Sequence, residues 1–299
     1  MKSPGFIRER ESLARHSTLG IGGPADFFAR IKTEEQLLEA SEFARDEGLV
    51  DIFVLGHGSN ILFSDKGFRG LVLKMGPRKM YFLSNGLKEL SVEAGALVST
   101  IIGLETKLGF SGFENFAGLP GTVGGAIYGN AGCFGVEFWE RIISVRYFDG
   151  ENFLELKPED FLFPFSYRSS LFKDHPNWVI ISARFKIEEA DPRQVAKRIK
   201  EVAEQRAKRQ PEAKNIGCIF KNPLRCGMRV SAGRLIDEAG LKEFRVGNAR
   251  VSRIHANFFE NLGGAKANDF LELIRIVRGE IYSKSGIMLE EEIVEVGEF

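Results

Sequence analysis

The sequence predicts an α+β fold, with a large N-terminal part in two lobes and a smaller C-terminal domain. Three observations predict it. Helix start and stop signals recur along the chain, and short apolar runs of strand length lie between them. A cation-rich helical stretch, 192–210, then bridges to a last unit of roughly 211–299.

Thr33 and Gln36 have capping-box spacing at the start of a helix expected to run through Ala44 and close at Gly48. Leu97, Ile101, Leu104 and Leu108 make an apolar stripe at helical spacing, with Gly109 as the stop. Asp191 before Pro192 reads as N-cap and first position of the bridging helix, which carries Val195, Ile199 and Val202 and ends before Pro211. Phe270, Ile274, Val277 and Ile281 mark a final helix ending near Gly286. IFVL (52–55) and LVL (71–73) read as strands, and RIISVRYF and NFLEL flank a turn at Asp149–Gly150. In WVIISARFKI, residues Val179, Ile181, Ala183, Phe185 and Ile187 alternate with more polar positions, as in a half-buried strand. LEEEIVEVG (289–297) reads as a closing strand in which Glu292 shares a face with Val294 and Val296.

Composition narrows the function classes. At 299 residues, with 43% hydrophobic and 27% charged, the chain has ample length for a real core. A formal net charge of zero gives no basic surface for nucleic acid. No apolar run reaches the roughly 20 residues of a membrane span, and MKSPGFIRERESLARH has no apolar signal core. Cys133, Cys218 and Cys226 lack metal-type spacing, so no metal is expected, and a reducing cytoplasm fits them. Only four glutamines stand beside many Glu, Lys and Arg, in keeping with a heat-adapted source.

Two glycine-rich segments stand out. In GLPGTVGGAIYGNAG (118–132) six of fifteen residues are glycine, interleaved with Leu119, Val123, Ile127 and Tyr128 rather than with linker residues. Such a loop lets backbone approach something bulky. In VLGHGSNILFSD, residues Gly56, Gly58, Ser59 and Asn60 make either a tight hairpin turn or a nest of N–H groups for a phosphate. It is no Rossmann fingerprint, because Ile61 stands where a small residue is needed and ILFSD is strand-like; no GKS or GKT occurs either. Taken together, the two loops favour a dinucleotide cradle.

Three further stretches could carry chemistry. In FPFSYRSSLFK (163–173), Arg168 is either stacked on Tyr167 or Phe165 or a clamp for carboxylate or phosphate. NIGCIFKNP (215–223) gathers Cys218, Lys221 and Asn222, with the cysteine either a small buried hydrophobe or a functional thiol. Glu292, on an apolar strand face, is an edge charge or a carboxyl of raised pKa.

With these stretches side by side, the chain resembles the UDP-N-acetylenolpyruvoylglucosamine reductase family, in its shorter (type II) subgroup. The matching elements are IGGPADFF (21–28), GHGSNIL (56–62), GLPGTVGGAIYGNAG, YRSSLF (167–172), GCIFKNP (217–223), AGRLIDEAGLK (232–242), VSRIHANFFEN (251–261) and LEEEIVEVG. They follow the family's order over nearly the whole chain. The resemblance implies a two-lobed FAD-binding domain of the vanillyl-alcohol-oxidase (PCMH) type over 1–205, in lobes of about 1–75 and 76–205. A C-terminal domain, 206–299, would close over the UDP-sugar.

The resemblance also implies roles. Non-covalent FAD would lie against Gly56, His57, Gly58, Ser59 and Asn60, and against Pro120, Gly121, Thr122, Gly124, Gly125, Ala126, Asn130, Ala131 and Gly132. NADPH would reduce the flavin, which would then pass hydride to C3 of UDP-N-acetylglucosamine enolpyruvate while a proton reaches C2, yielding UDP-N-acetylmuramate for peptidoglycan. Arg168 and Glu292 would act at the substrate carboxylate, Lys221 and Asn222 would contact substrate, and Tyr167 would line the site. Cys218 stands where most of the family has the proton-donating serine. The alternative within the same flavin fold is a sugar or lactone oxidase, with His57 as the point of covalent flavin attachment. A nucleotide-sugar binding protein without redox chemistry is the other; intact Arg168 and Glu292 speak against it.

Overall fold

In the computed structural model, residues 3–76, 80–83, 88–160 and 165–299 are described. The helices begin where the capping residues place them. Thr33 Oγ1 accepts from the Gln36 N–H at 3.1 Å to start Glu34–Asp46. Gln36 Oε1 reaches back to the N–H of Lys32 at 2.8 Å, one residue earlier than a capping box requires. Asp191 Oδ1 accepts from Arg193 N at 2.9 Å to start Pro192–Arg209, and Gly286 closes Ala267–Ser285.

Two sequence expectations are corrected. The helix Val98–Leu108 buries Val98, Ile101, Ile102 and Glu105; of the 97/101/104/108 stripe, Ile101 lies in the core and Leu104 packs against it, but the two ends do not. Leu97 is the N-cap and is 39% exposed, and Leu108 is 36% exposed. A carboxyl at a core position hid the true face. The closing strand covers only Val294–Val296, and a bend at Ile293 separates it from Glu292; alternation therefore does not set the Glu292 face.

The chain divides into two compact units. The first comprises the chain up to Arg8, then Phe27–His57 and Gly70–Arg206. Its five-stranded antiparallel sheet runs in the order Phe153–Leu156, Ile142–Phe148, Val179–Lys186, Glu89–Glu93, Met80–Leu83. Phe113, Phe116, Phe138 and Phe185 are fully buried; Phe138 meets the other three edge-on and Phe113 meets Phe185 likewise, with centroids 5.1–5.7 Å apart. Each such pair adds about 0.5–1.5 kcal/mol beyond area burial. A four-stranded sheet, Ile7–Ser12, Pro24–Ile31, Phe68–Met75, Ile52–Leu55, ends in a parallel pair. The helix Glu34–Asp46 buries Leu37, Ala40 and Phe43 in one core with Ala29, Ile31, Leu71 and Leu73.

The second unit comprises Glu9–Asp26, Gly58–Arg69 and Ala207–Phe299. It takes in two stretches that a boundary at 205/206 leaves in the N-terminal part. The reason is packing: Leu19, Ile21 and Leu62 share a core with Phe220, Phe259, Phe270 and Leu273. Ile61–Phe63 also pairs in parallel with Val294–Val296. Among the described residues no helix is long and apolar enough to cross a membrane.

Glu105 has a measurable consequence. It is fully buried, and its Oε1 accepts from Phe113 N at 2.6 Å. Burial first, and the neighbouring Glu114 carboxylate second, push its pKa up to about 9 from an ordinary 4.5. The folded state therefore keeps a proton that the unfolded chain releases above pH 4.5, so this group's contribution to stability falls between about pH 4.5 and 9. The slope is at most about 1.4 kcal/mol per pH unit. Relative to the wild type, Glu105→Gln should gain stability steadily as pH rises from 5 to 8 in denaturant titrations. A difference independent of pH would contradict a buried neutral acid.

Candidate active site

The glycine segment 118–132 is organised by its own chain before any ligand is considered. Thr122 caps the short helix Val123–Tyr128, its Oγ1 accepting from Gly125 N at 3.2 Å. Val123 N donates to Ala96 O at 2.8 Å and Gly124 N to Ala94 O at 2.9 Å. A Cβ on Gly124 would lie 2.9 Å from the Ala94 methyl, and one on Gly56 would lie 2.5 Å from Thr122 Oγ1. At Gly118 it would meet Arg206 Cδ at 2.9 Å. These glycines are required by protein against protein. Gly125 differs: it is exposed, with only Thr122 Oγ1 near a built Cβ, at 3.3 Å. Gly118 and Pro120 are also exposed.

Arg206, on the bridging helix and only 9% exposed, ties down both ends of this segment. Its Nε donates to Ala117 O at 2.9 Å, its Nη2 lies 3.2 Å from Cys133 Sγ, and its guanidinium stands over the Phe134 ring. Nothing in the sequence distinguished it from its many cationic neighbours.

Arg168 sits in the two-residue turn of a hairpin, Phe165–Ser166 with Ser169–Ser170. Its φ is 56°, a conformation that favours glycine and costs a side-chain-bearing residue about 1–3 kcal/mol. The guanidinium lies 5.1 Å over the Tyr167 ring, and Nη2 donates to Gly132 O at 3.3 Å. A Cβ on Gly132 would come within 2.8 Å of Nη1, so that glycine makes room for the arginine. Stacking and a poised cation therefore coexist. Phe163 and Pro164, read from the sequence as part of this setting, lie outside the described residues.

Asn130 couples the two features. It is 1% exposed, with φ 41°. Its Nδ2 donates to Ser166 O at 2.8 Å and to Glu137 Oε2 at 2.9 Å, and its Oδ1 accepts from Trp139 N at 3.4 Å. Its amide is thus spent on holding the hairpin against the glycine segment.

In the second unit, Gly58, with φ 74°, packs where a Cβ would collide with His16 O, and its carbonyl accepts from Thr18 N at 3.1 Å. GHGSN is no hairpin turn: Ile52–Leu55 pairs with Phe68–Met75, and Ile61–Phe63 pairs with Val294–Val296. Asn60 Nδ2 donates to Glu292 O at 3.0 Å, while Glu292 N donates to Ile219 O at 2.8 Å. The Glu292 backbone is thereby fixed from both sides.

The stretch carrying Cys218 is held as closely. Cys218 bridges Phe258, and Ile219 N donates to Asn257 O at 2.8 Å. The Asn257 side chain, 2% exposed, grips Phe220 twice: Nδ2 to its carbonyl at 2.8 Å and Oδ1 from its N–H at 3.0 Å. Cys218 is half-buried, so it is not simply a core hydrophobe. Lys221 is ion-paired with Glu290, and Asn222 Oδ1 accepts from Ala232 N at 3.0 Å. Arg278 pairs with Glu291 and stands over the Phe220 ring. In the sequence Asn257 stands out only as part of the matching element VSRIHANFFEN, with no role of its own.

Comparison with known proteins gives these features a setting. Residues 210–296 match the model of the UDP-N-acetylenolpyruvoylglucosamine reductase C-terminal domain, and residues 25–152 match an FAD binding domain. The UDP-N-acetylenolpyruvoylglucosamine reductase of Rubrobacter xylanophilus is 37% identical over 288 residues, 96% of this chain and 94% of that protein. This chain belongs to the UDP-N-acetylenolpyruvoylglucosamine reductase family. The enzyme of that name from Chlamydia trachomatis serovar A is 40% identical over 97% of this chain and 96% of its own length. The crystal structure of the family member from Thermus caldophilus superposes with TM-score 0.81 at 38% identity, covering 97% of this chain and all of that one. A solvent-stable cholesterol oxidase, 14% identical with TM-score 0.50 over 63% of this chain, shares the fold alone. The C-terminal match argues against the oxidase alternative.

The residues present fit a flavin dinucleotide. No acidic side chain occurs in 56–63 or 118–132, and Gly125 offers exposed bare backbone. Burial, and then the Lys74 ammonium, hold the His57 imidazole below its ordinary pKa. The contact of Gly132 with Arg168 can be tested against a glycine that has room to spare. Gly132→Ala should cost about tenfold or more in turnover through displacement of Arg168, with melting unchanged. Gly129→Ala, whose Cβ meets only Gly125 O at 3.5 Å, should be close to neutral in both assays. Equal behaviour of the two variants would contradict the assignment of Gly132 to the arginine.

Proposed function

We propose that this chain reduces the enolpyruvyl ether of UDP-N-acetylglucosamine to the lactyl ether, UDP-N-acetylmuramate, in the cytoplasm, with NADPH as electron donor and non-covalent FAD. The observation that carries the reading is Arg168. A cation is held in a glycine-like backbone conformation over a glycine made bare for it, an arrangement that costs stability and is retained for its chemistry.

FAD, when bound, supplies the redox chemistry, relaying a hydride equivalent from NADPH to C3 of the substrate. The chain's residues do the rest. Negative charge builds on the substrate carboxylate as C3 is reduced, and the planar Arg168 fork is set in advance to receive it. Glu292, its backbone pinned by Asn60 and Ile219, assists at the carboxylate. C2 then takes a proton: the Cys218 S–H bond breaks as the C2–H bond forms, leaving a thiolate that solvent reprotonates. A thiol, with an ordinary pKa near 8.5, is mostly protonated at neutral pH yet gives its proton far more readily than an alcohol. Lys221 and Asn222 contact the substrate and Tyr167 lines its site.

Purified protein should oxidise NADPH with the enolpyruvyl UDP-sugar present. In stopped-flow measurements Arg168→Ala should leave reduction of bound flavin by NADPH largely intact. Its reoxidation by the enolpyruvyl substrate should slow by roughly two to three orders of magnitude. Cys218→Ser should retain much of that second rate and Cys218→Ala should lose most of it. Near-normal turnover by folded Cys218→Ala would remove the thiol from the reaction, and equal slowing of both half-reactions in Arg168→Ala would remove the arginine's specific role.

A further inference from the structure

A hairpin with two residue pairs cannot hold its own shape in water, yet this one presents Arg168 from a strained turn. What holds it is a set of contacts from outside. Ser170 Oγ donates to Tyr128 O at 2.7 Å, and Asn130 Nδ2 donates to Ser166 O at 2.8 Å. Lys173, on the short helix Leu171–Asp174 that follows the hairpin, does something the others do not: its Nζ donates to the carbonyl of Arg168 itself, at 2.8 Å. The same ammonium stands 5.8 Å over the ring of Tyr128, in the glycine segment. A charged donor on that carbonyl fixes the peptide plane immediately after the left-handed residue, and the ring contact refers the ammonium to the same backbone against which the guanidinium lies.

We propose that Lys173 is a positioning residue for Arg168, holding its turn in the one orientation that aims the guanidinium along the glycine segment. The inference rests on the role given to Arg168 above. A double-mutant cycle on the flavin-loaded enzyme tests it. Lys173→Met should slow reoxidation of reduced flavin by the enolpyruvyl substrate about tenfold and leave reduction by NADPH unchanged. In the Arg168→Ala background the same substitution should alter the rate by less than about twofold, because the residue it positions is gone. Lys173→Arg, which keeps a cationic donor, should recover the wild-type rate to within about threefold. Hydrogen exchange at the amides of 166–170 should quicken in Lys173→Met, a readout independent of turnover. Equal slowing in both backgrounds would overturn the proposal as a general structural effect, and unchanged exchange would overturn it too. Wild-type reoxidation in Lys173→Met with slow reoxidation in Arg168→Ala would overturn it alone. Wild-type reoxidation in Arg168→Ala would overturn it together with the reading on which it rests.

Discussion

Where Gly124 meets Ala94, two lengths of main chain lie so close that a Cβ would come within 2.9 Å of the alanine methyl. The hydrogen bonds from Val123 and Gly124 to Ala96 and Ala94 need that approach. They lock the glycine segment onto the loop beside the five-stranded sheet, with Val123 and Ile127 in the same core as the four interlocked phenylalanines. From that fixed line the rest of the first unit takes its bearings. Arg206 anchors both ends, Asn130 passes its geometry to the hairpin, and Gly132 clears space for Arg168. A segment of six glycines in fifteen residues is thus tightly constrained, as its interleaved apolar residues suggest.

The second unit solves a similar problem with amides. Asn257 holds Phe220 by two hydrogen bonds, and Asn60 with Ile219 holds Glu292 by two more. The two asparagine side chains imitate a strand pairing where regular ladders are short: the closing strand has three residues and Cys218 belongs to an isolated bridge. Cys218 and Glu292 are thus carried on irregular backbone held by polar contacts, of which those of Asn257 are buried. Removing one partner would strand the other, so these positions tolerate little change.

Local chemistry was legible in the sequence and long-range packing was not. Caps at Thr33 and Asp191, stops at Gly109 and Gly286 and the alternation of 179–187 could be read because each depends on neighbours within a few residues. The inner face of 98–108 was read only in part, at Ile101 and Leu104, because a core position holds Glu105 and periodicity counts only apolar residues. The second unit's claim on 9–26 and 58–69 was invisible, since Leu19 and Leu62 meet Phe270 across some two hundred residues of chain. Of the site, the glycines, Arg168, Cys218 and Glu292 were marked by composition and motif. Lys173 and Asn257 lie inside quoted stretches and Arg206 inside the cationic helix, but what each of them holds emerges only from geometry.

The central claim is that this bare-backbone seat holds FAD without a covalent bond. The most direct measurement is the visible spectrum of the purified protein, followed by that of the supernatant after heat denaturation. The account predicts a flavin spectrum that passes wholly into the supernatant as FAD. A colourless protein, or colour retained by the denatured chain, would contradict it.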